Sequence, residues 1–225
     1  MRKFLLAAAL LGSTALAMPA YAITCNTTQQ LGQAGTSGLA GLSGGNCVQV
    51  SDKIFGDASV GGAITGQQGN AIFTFTATSV TVGFQGAVGP GLSGNIDYSV
   101  AVAPGFNFVI TSVAEDFTLT GDGGLIPGSA TLAGTANGGA FNCTRSTTGA
   151  STCPTSLALA SVSSVLMTQD ITTDAHATVT GIQDTFVQTA VPEPASLGIL
   201  GGALLGFGIF NWARRRKSGG GFSNA

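Results

Sequence analysis

Apolar side chains recur at every second position along much of the chain, with polar or small residues between them. The apolar members of these runs are Phe73, Phe75 and Ala77; Val80, Val82 and Phe84; Ile96, Tyr98, Val100 and Val102; Phe106, Phe108 and Ile110; and Phe117 and Leu119. Two further strand-like runs contain Leu132 and, between residues 175 and 186, Val179. A period of two predicts β-strands with one buried face, and threonine, valine and phenylalanine favour that conformation.

Turns rich in glycine and proline separate these runs. They include the Gly-Pro-Gly of residues 89–91, Pro104-Gly105, Asp122-Gly123-Gly124, Pro127-Gly128 and Gly138-Gly139, all typical turn sequences. Short strands at this spacing predict an all-β fold. We expect residues 23–190 to form a single antiparallel β-sandwich of jelly-roll-like topology, whose two sheets bury their apolar faces against each other. The glycine-rich stretch from Leu31 to Gly45 shows no pattern, and we expect a loop there.

The first 22 residues have the three parts of a Sec-type signal peptide. Arg2 and Lys3 supply the positive charge, and residues 4–16 form an apolar run too short to span a membrane comfortably. Ala20 and Ala22 fit the small-x-small pattern of a cleavage site. The prediction is a signal peptide over residues 1–22 that engages the Sec translocon and is cut after Ala22. An uncleaved N-terminal anchor is the alternative.

A second targeting segment covers residues 191–217. Its motif, Pro192-Glu193-Pro194, is stiff and non-helical. The apolar stretch 195–213 follows, and a helix of that length rises about 28 Å, close to the ~30 Å hydrocarbon thickness of a bilayer. We expect one transmembrane helix there. The basic cluster that sets its orientation consists of Arg214, Arg215, Arg216 and Lys217. Basic residues stay on the cytoplasmic side, so residues 218–225 form a short cytoplasmic tail and residues 23–190 lie outside the cytoplasm.

The motif, the apolar stretch and the arginine cluster, in this order, resemble the PEP-CTERM sorting signal. The resemblance implies that the protein is a substrate of an exosortase, a membrane-embedded cysteine protease that recognises Pro192, Glu193 and Pro194 and removes the helix. It also implies a Gram-negative cell envelope. There an inner-membrane-anchored precursor would be processed and passed to the envelope or the extracellular matrix.

A second resemblance concerns the predicted sandwich. Residues 47–55 read Cys-Val-Gln-Val-Ser-Asp-Lys-Ile-Phe, and an Ile-x-Tyr-x-Val strand lies at 96–100. Together with a last strand that runs into Val-Pro-Glu-Pro, these features are similar to a secreted bacterial sandwich domain that carries the same tail. This resemblance implies the sandwich fold and brings no assigned activity.

All four cysteines lie after the expected signal-peptide cleavage site. An even number of cysteines in an exported chain predicts disulfides. Three connectivities are possible, and sequence proximity favours Cys25–Cys47 and Cys143–Cys153. A zinc site is the alternative, although the chain has a single histidine, His176, and no Cys-x-x-Cys pair.

Charged residues make up only 8% of the chain, against about 25% in an average soluble protein. Residues 23–190 contain nine acidic and two basic side chains, a formal net charge of −7. The two basic residues are Lys53 and Arg145. Such a surface offers no basic patch to neutralise phosphates, which excludes nucleic acid as an expected partner.

The predicted sandwich offers few residues for catalysis. A Ser-His-Asp hydrolase would need His176 as its general base, and we expect that residue on the solvent face of a strand. A glycosidase would need two carboxylates in a cleft. Glu115 and Asp116 are neighbours, so in a strand they should point to opposite faces, although Asp97 could lie near one of them across the sheet.

Ligand binding has a similarly sparse basis. Asp122, Asp170 and Asp174 could supply oxygen ligands to calcium, but they lack the spacing of an EF-hand. Tyr98 is the only tyrosine or tryptophan between residues 23 and 190, so a platform for stacking sugars is poorly supplied. No Walker loop is present, nor is the Rossmann fingerprint, which needs a glycine-rich turn between a strand and a helix. The prediction is therefore no catalytic residue, no cofactor and no metal.

The hypothesis that best accounts for these features is a non-enzymatic, exported protein of the cell envelope or extracellular matrix, in contact with extracellular polysaccharide. A carbohydrate- or calcium-dependent adhesion module is the first alternative. It requires a cluster of acidic, amide and aromatic side chains on one face or loop end. An enzyme that acts on a matrix polysaccharide is the second, and it requires two carboxylates that converge in a cleft.

Overall fold

The computed structural model describes residues 23–64, 70–154 and 156–191, and their backbone forms two β-sheets without an α-helix. The strands are β1 (Thr27–Gln30), β2 (Ala34–Gly38), β3 (Asn46–Val50), β4 (Lys53–Gly62), β5 (Asn70–Phe75), β6 (Ser79–Val88), β7 (Ser93–Val102), β8 (Phe108–Gly121), β9 (Ser129–Ala136), β10 (Gly139–Ser146), β11 (Leu157–Val162), β12 (Ser164–Thr173) and β13 (Ala177–Ala190). The all-β, two-sheet prediction is confirmed. The predicted signal peptide, transmembrane helix, basic cluster and tail lie outside the described residues. Across the described ranges, no helix has the length and apolar character needed to cross a membrane.

The two sheets contain seven and six strands. The first has the order β1-β3-β4-β7-β12-β9-β10, and the second has the order β11-β8-β13-β6-β5-β2. Strands β6 to β13 alone form two layers, β6-β13-β8-β11 and β7-β12-β9-β10, which is the strand order of a jelly roll. Strands β1, β3 and β4 extend one layer at its β7 edge, and β5 and β2 extend the other at its β6 edge.

The core lies between the two sheets, as the alternating pattern predicts. The rings of Phe55 in β4 and Phe73 in β5 belong to opposite sheets, and their centroids are 4.8 Å apart. Tyr98 in β7 meets Phe186 in β13 edge to face at 6.3 Å. All four side chains are buried. Burial of each large apolar side chain contributes about 1.5–3 kcal/mol, so these inward positions hold the sheets together.

Three local predictions were wrong. The stretch from Leu31 to Gly45 is not only a loop, because it contains β2, which pairs with β5, and a 3₁₀ helix over Leu39–Gly41. Its small residues carry too little apolar side chain to give an alternating signal. The sheets are also not wholly antiparallel, since β1 pairs with β3 in parallel. Phe106 does not share a strand face with Phe108, because it lies in the turn before β8.

Both disulfides favoured by sequence proximity are present. Cys25–Cys47 joins the segment before β1 to β3, with Cα atoms 5.5 Å apart. Cys143–Cys153 joins β10 to the segment before β11. No free cysteine is found in the described residues. Closure of such loops stabilises a fold by about 2–4 kcal/mol each, here at two places where the chain leaves a sheet.

Candidate functional site

A cluster of polar side chains lies in the core, where the alternating pattern puts apolar residues. Tyr98 Oη donates a hydrogen bond of 2.5 Å to Asp184 Oδ2, and Gln169 Nε2 donates one of 2.7 Å to Asp184 Oδ1. Glu115 on β8 is the direct cross-strand neighbour of Asp184 on β13, so both carboxyl groups leave the same face of the sheet. Asp184 is 0% exposed and Glu115 is 7% exposed.

The two buried carboxyl groups have strongly raised pKa values. Burial is the main cause of a pKa of about 9 for Glu115, and the neighbouring charge of Asp184 raises it further. Burial also raises the pKa of Asp184 to about 7, although the hydrogen bonds from Tyr98 and Gln169 act in the opposite direction. The pKa of Tyr98 is raised well above its ordinary value, first by burial and then by Asp184. Near neutral pH, Glu115 is therefore protonated and uncharged. The fold then does not have to bury a second negative charge beside Asp184.

A second polar cluster lies at the end of the sandwich where the last strand finishes. Lys53 Nζ lies 2.7 Å from Asp52 Oδ2 and also donates a hydrogen bond to Gln188 Oε1 on β13. The ammonium group lies 5.6 Å from the centre of the Phe108 ring, within the range of a cation–π contact. Lys53 and Asp52 are 0% and 1% exposed. Burial lowers the pKa of Lys53, while Asp52 opposes that shift through its hydrogen bond and charge.

The charged residues of the opposite end are engaged in its turns. His176 Nδ1 lies 2.9 Å from Asp122 Oδ2, between the β12–β13 turn and the β8–β9 loop. The His176 backbone N–H donates to Asp174 Oδ1, and Ser129 donates to Asp174 Oδ2 through both its backbone N–H and its hydroxyl group. These contacts lower the pKa of Asp122, chiefly through His176, and that of Asp174, chiefly through the His176 backbone. These contacts join neighbouring turns, so the charged residues of this end stabilise its loops.

The structure gives the position of each candidate catalytic residue. His176 lies in a turn and not on a strand face, because β13 begins only at Ala177. Glu115 and Asp116 do point to opposite faces, as predicted: Glu115 is buried, and Asp116 is exposed and 2.7 Å from Arg145. Asp97 does not approach Glu115, because it alternates with the buried Ile96 and Tyr98 of β7 and therefore lies on the outer face of the other sheet. The carboxyl group beside Glu115 is that of Asp184, and a polysaccharide chain cannot reach a pair enclosed between two sheets.

The candidate ligand residues are not brought together either. Asp122 and Asp174 are both held at His176, whereas Asp170 lies on the exposed face of β12. No group of three or more histidine, cysteine, aspartate or glutamate residues suited to a metal ion occurs in the described part of the chain. Tyr98, the one tyrosine of the sandwich, is only 1% exposed, so it presents no ring to a sugar.

Sequence reasoning missed the interior polar residues, although a signal for them exists. Ile182, Asp184, Phe186 and Gln188 occupy every second position of β13, and all four are buried. In the same way, Glu115 lies midway between Val113 and Phe117 in β8. A polar residue that keeps the phase of an apolar run is an inward-facing residue, and this rule would have located both clusters.

The predicted sorting motif begins where the described structure ends. Strand β13 finishes at Ala190, and the Val191 backbone N–H donates a hydrogen bond of 2.9 Å to the carbonyl oxygen of Asn107. Pro192, Glu193 and Pro194 follow at once in the sequence and lie outside the described residues, as do the predicted signal cleavage positions Ala20 and Ala22. The motif is therefore joined to the folded domain with no intervening linker.

Comparison with known proteins supports the C-terminal assignment. Residues 190–217 match the family model of the PEP-CTERM protein-sorting motif, so the chain carries this motif. No curated protein matches the chain. Among solved structures, the chain is similar to TmCBM61, a carbohydrate-binding module, in complex with beta-1,4-galactotriose, at 15% identity over 60% of this chain and 88% of that chain. The TM-score is 0.29, and a likeness of that size carries no argument about this protein.

Proposed function

We propose that this protein is an exported, non-enzymatic component of the cell envelope or extracellular matrix, delivered by the PEP-CTERM route. The observation that carries the proposal is the position of the sorting motif: it starts at residue 190, the last residue of the last strand of a disulfide-bonded sandwich. In this account the Sec translocon exports the chain, the C-terminal segment anchors the precursor in the membrane, and an exosortase-type protease cuts near the motif. The released product is then the sandwich alone.

The two disulfides support an extracytoplasmic location. Disulfides persist in oxidising compartments and are rare in the cytoplasm. Each ties a strand of the seven-stranded sheet, β3 or β10, to a segment outside the strands and so restricts the unfolded chain. The low content of charged residues suits a setting rich in uncharged hydroxyl groups, such as a polysaccharide matrix.

The arrangement of the titratable groups supports a non-enzymatic role. Catalytic carboxylates must reach substrate, and a glycosidase places its pair on either side of a cleft. Here the two carboxyl groups with the most perturbed pKa values, Glu115 and Asp184, face each other within the core. Two of the exposed carboxylates, Asp116 and Asp122, are paired with Arg145 and His176. Burial and ion pairing of this kind stabilise a fold, and burial leaves Glu115 and Asp184 without access to a substrate.

Replacement of Glu193 by alanine tests the sorting proposal. The variant E193A should accumulate as an unprocessed, membrane-bound precursor, because the protease loses the one charged residue of its recognition motif. Fractionation of producing cells, followed by immunoblotting for the larger precursor and the smaller product, measures this result. The matched control is T189A, an exposed position just before the motif, which should be processed like the wild type. Equal processing of E193A and T189A contradicts the proposal.

A further inference from the structure

The end of the sandwich that lies next to the sorting motif has no exposed charge in the described structure. Its turns cover residues 31–33, 51–52, 76–78, 103–107, 137–138 and 162–164, together with the chain exit at 190–191. The only charged residues there are Asp52 and its neighbour Lys53, and they are buried against each other. The opposite end carries Asp122, Asp174 and His176 in its turns. The two ends of the domain therefore differ in chemical character.

An exposed aromatic residue lies on a hydrogen-bonded turn at the uncharged end. Phe106 is 44% exposed and follows the Pro104-Gly105 turn, where Gly105 adopts a φ of +89° that favours glycine. The Phe106 N–H donates to the Ala103 carbonyl oxygen at 3.3 Å, and the Ala103 N–H donates to the Asp52 carbonyl oxygen at 2.7 Å. These hydrogen bonds fix the backbone of the turn, so this segment loses little conformational entropy when it binds a partner.

The chain exit lies beside this ring. Val191 is 42% exposed and is bonded through its backbone to Asn107, the residue after Phe106. From Val191 the chain can reach at most ~3.6 Å per residue, so the Cα atom of Pro194 lies within about 11 Å of that of Val191. An enzyme that grips residues 192–194 must therefore lie against the turns of this end.

We infer that the uncharged end of the sandwich, with Phe106 and Val191 at its centre, is a docking surface for the sorting protease. The inference rests on the proposed function and extends it, since it assigns part of the recognition to the folded domain. Two features fit a membrane-embedded enzyme as the occupant. A surface without exposed charge loses no ionic hydration when it is covered, and aromatic residues are enriched in the centres of protein interfaces.

The test is the rate at which the full-length precursor is processed in producing cells. In a pulse-chase experiment, F106S should be processed about three- to tenfold more slowly than the wild type, as expected when an interface loses an aromatic contact. The matched control is L92S, which changes an apolar residue that is 51% exposed at the opposite end and should be processed at the wild-type rate. Unchanged melting temperatures of the products show that neither variant has lost the fold.

A second variant separates docking from any indirect effect. A spacer of about ten Gly and Ser residues between Val191 and Pro192, with an average reach of roughly 18 Å, moves the motif away from the domain. In this background F106S should no longer slow processing, because the protease no longer lies against the domain. A slowing that persists in the spacer background overturns the inference.

The remaining outcomes are also decisive. If E193A blocks processing but F106S and L92S behave alike, the docking surface is refuted and the proposed function stands. A different outcome is that F106S is processed at the wild-type rate, while the turns of the uncleaved E193A/F106S precursor are cut by added protease more readily than those of the E193A precursor. In that case the Phe106 ring contacts the bilayer and not the sorting protease, and the inference is overturned. If E193A itself is processed normally, the proposed function fails.

Discussion

Replacement of Lys53 by methionine is expected to destabilise the sandwich by about 3–5 kcal/mol, the usual cost of removing one partner of a buried ion pair. The substitution leaves the Asp52 carboxylate, which is 1% exposed, without its cation. The side-chain carbonyl oxygen of Gln188 on β13 also loses its hydrogen-bond donor, the Lys53 ammonium group. Denaturation of the processed protein with guanidinium chloride, with both disulfides intact, measures the change in the free energy of unfolding.

The double variant D52N/K53M is the internal control, because it removes both charges. It should recover much of the lost stability, since a buried ion pair that is replaced as a whole costs little. D116N controls for an ion pair at the surface, where Asp116 is half exposed, and it should change stability by less than about 1 kcal/mol. If K53M is as stable as D116N, the Lys53–Asp52 pair does not have the role that its burial indicates.

The free energy of unfolding should fall as the pH rises through the neutral range. Above pH 7, this fall should be caused by Glu115. Its pKa is about 9 in the folded protein and about 4.3 in an unfolded chain. Between these two pH values the folded state binds a proton that the unfolded state has released. The contribution of Glu115 to the free energy of unfolding is therefore fully present below its unfolded-state pKa, and it is lost as the pH rises through its folded-state pKa. The slope is about 1.4 kcal/mol per pH unit for one proton. Asp184, with a pKa of about 7, adds a second such slope only up to that pH.

The variant E115Q isolates this contribution. It keeps the size of the side chain and cannot ionise, so the free energy of unfolding between pH 7 and pH 9 should become nearly independent of pH. Urea denaturation at several pH values across that range measures the slope. D170N, which removes an exposed carboxylate from the outer face of β12, should retain the wild-type slope. A slope in E115Q equal to that of D170N shows that Glu115 is ionised in the folded protein.

Most of the fold could be predicted because its strands follow a period of two. Ile96, Tyr98 and Val100 are buried in β7, as their alternation indicates, and the turns predicted at Pro104-Gly105 and Asp122-Gly123-Gly124 separate β7 from β8 and β8 from β9. Strand β2 escaped notice because its residues are small and polar. The parallel pairing of β1 with β3 could not be predicted either, because it depends on long-range contacts and not on local pattern.

The sequence indicated the disulfide pairing but not the buried ion pair between Asp52 and Lys53. The disulfide partners lie 22 and 10 residues apart, so sequence proximity favoured, among three possible connectivities, the pairing that the structure shows. Asp52 and Lys53 are adjacent, and adjacent residues in a strand face opposite sides, which argues against an ion pair between them. Ser51 has a φ of +52°, and Asp52 lies in the turn before β4, which frees its side chain from the alternation and allows the pair to form.

The phase of the apolar runs marks Glu115 and Asp184 as inward-facing, but the partners that stabilise this buried pair could not be predicted. Asp184 is buried because Tyr98 and Gln169, both on the opposite sheet, supply hydrogen bonds to it. Those two residues lie 86 and 15 positions away in the sequence. Their convergence is a property of the jelly-roll strand order and cannot be read from any one segment.

The intact mass of the protein should be measured in each fraction of the producing cells. We expect an extracellular or envelope product that begins at Ile23 and ends near Pro194, with both disulfides formed. Such a mass requires removal of the signal peptide and of the C-terminal segment, as export and sorting by the PEP-CTERM route demand. A protein found only with its residues up to Ala225 still attached would show that the chain is not cut at the motif and that the sandwich is not delivered as a released domain.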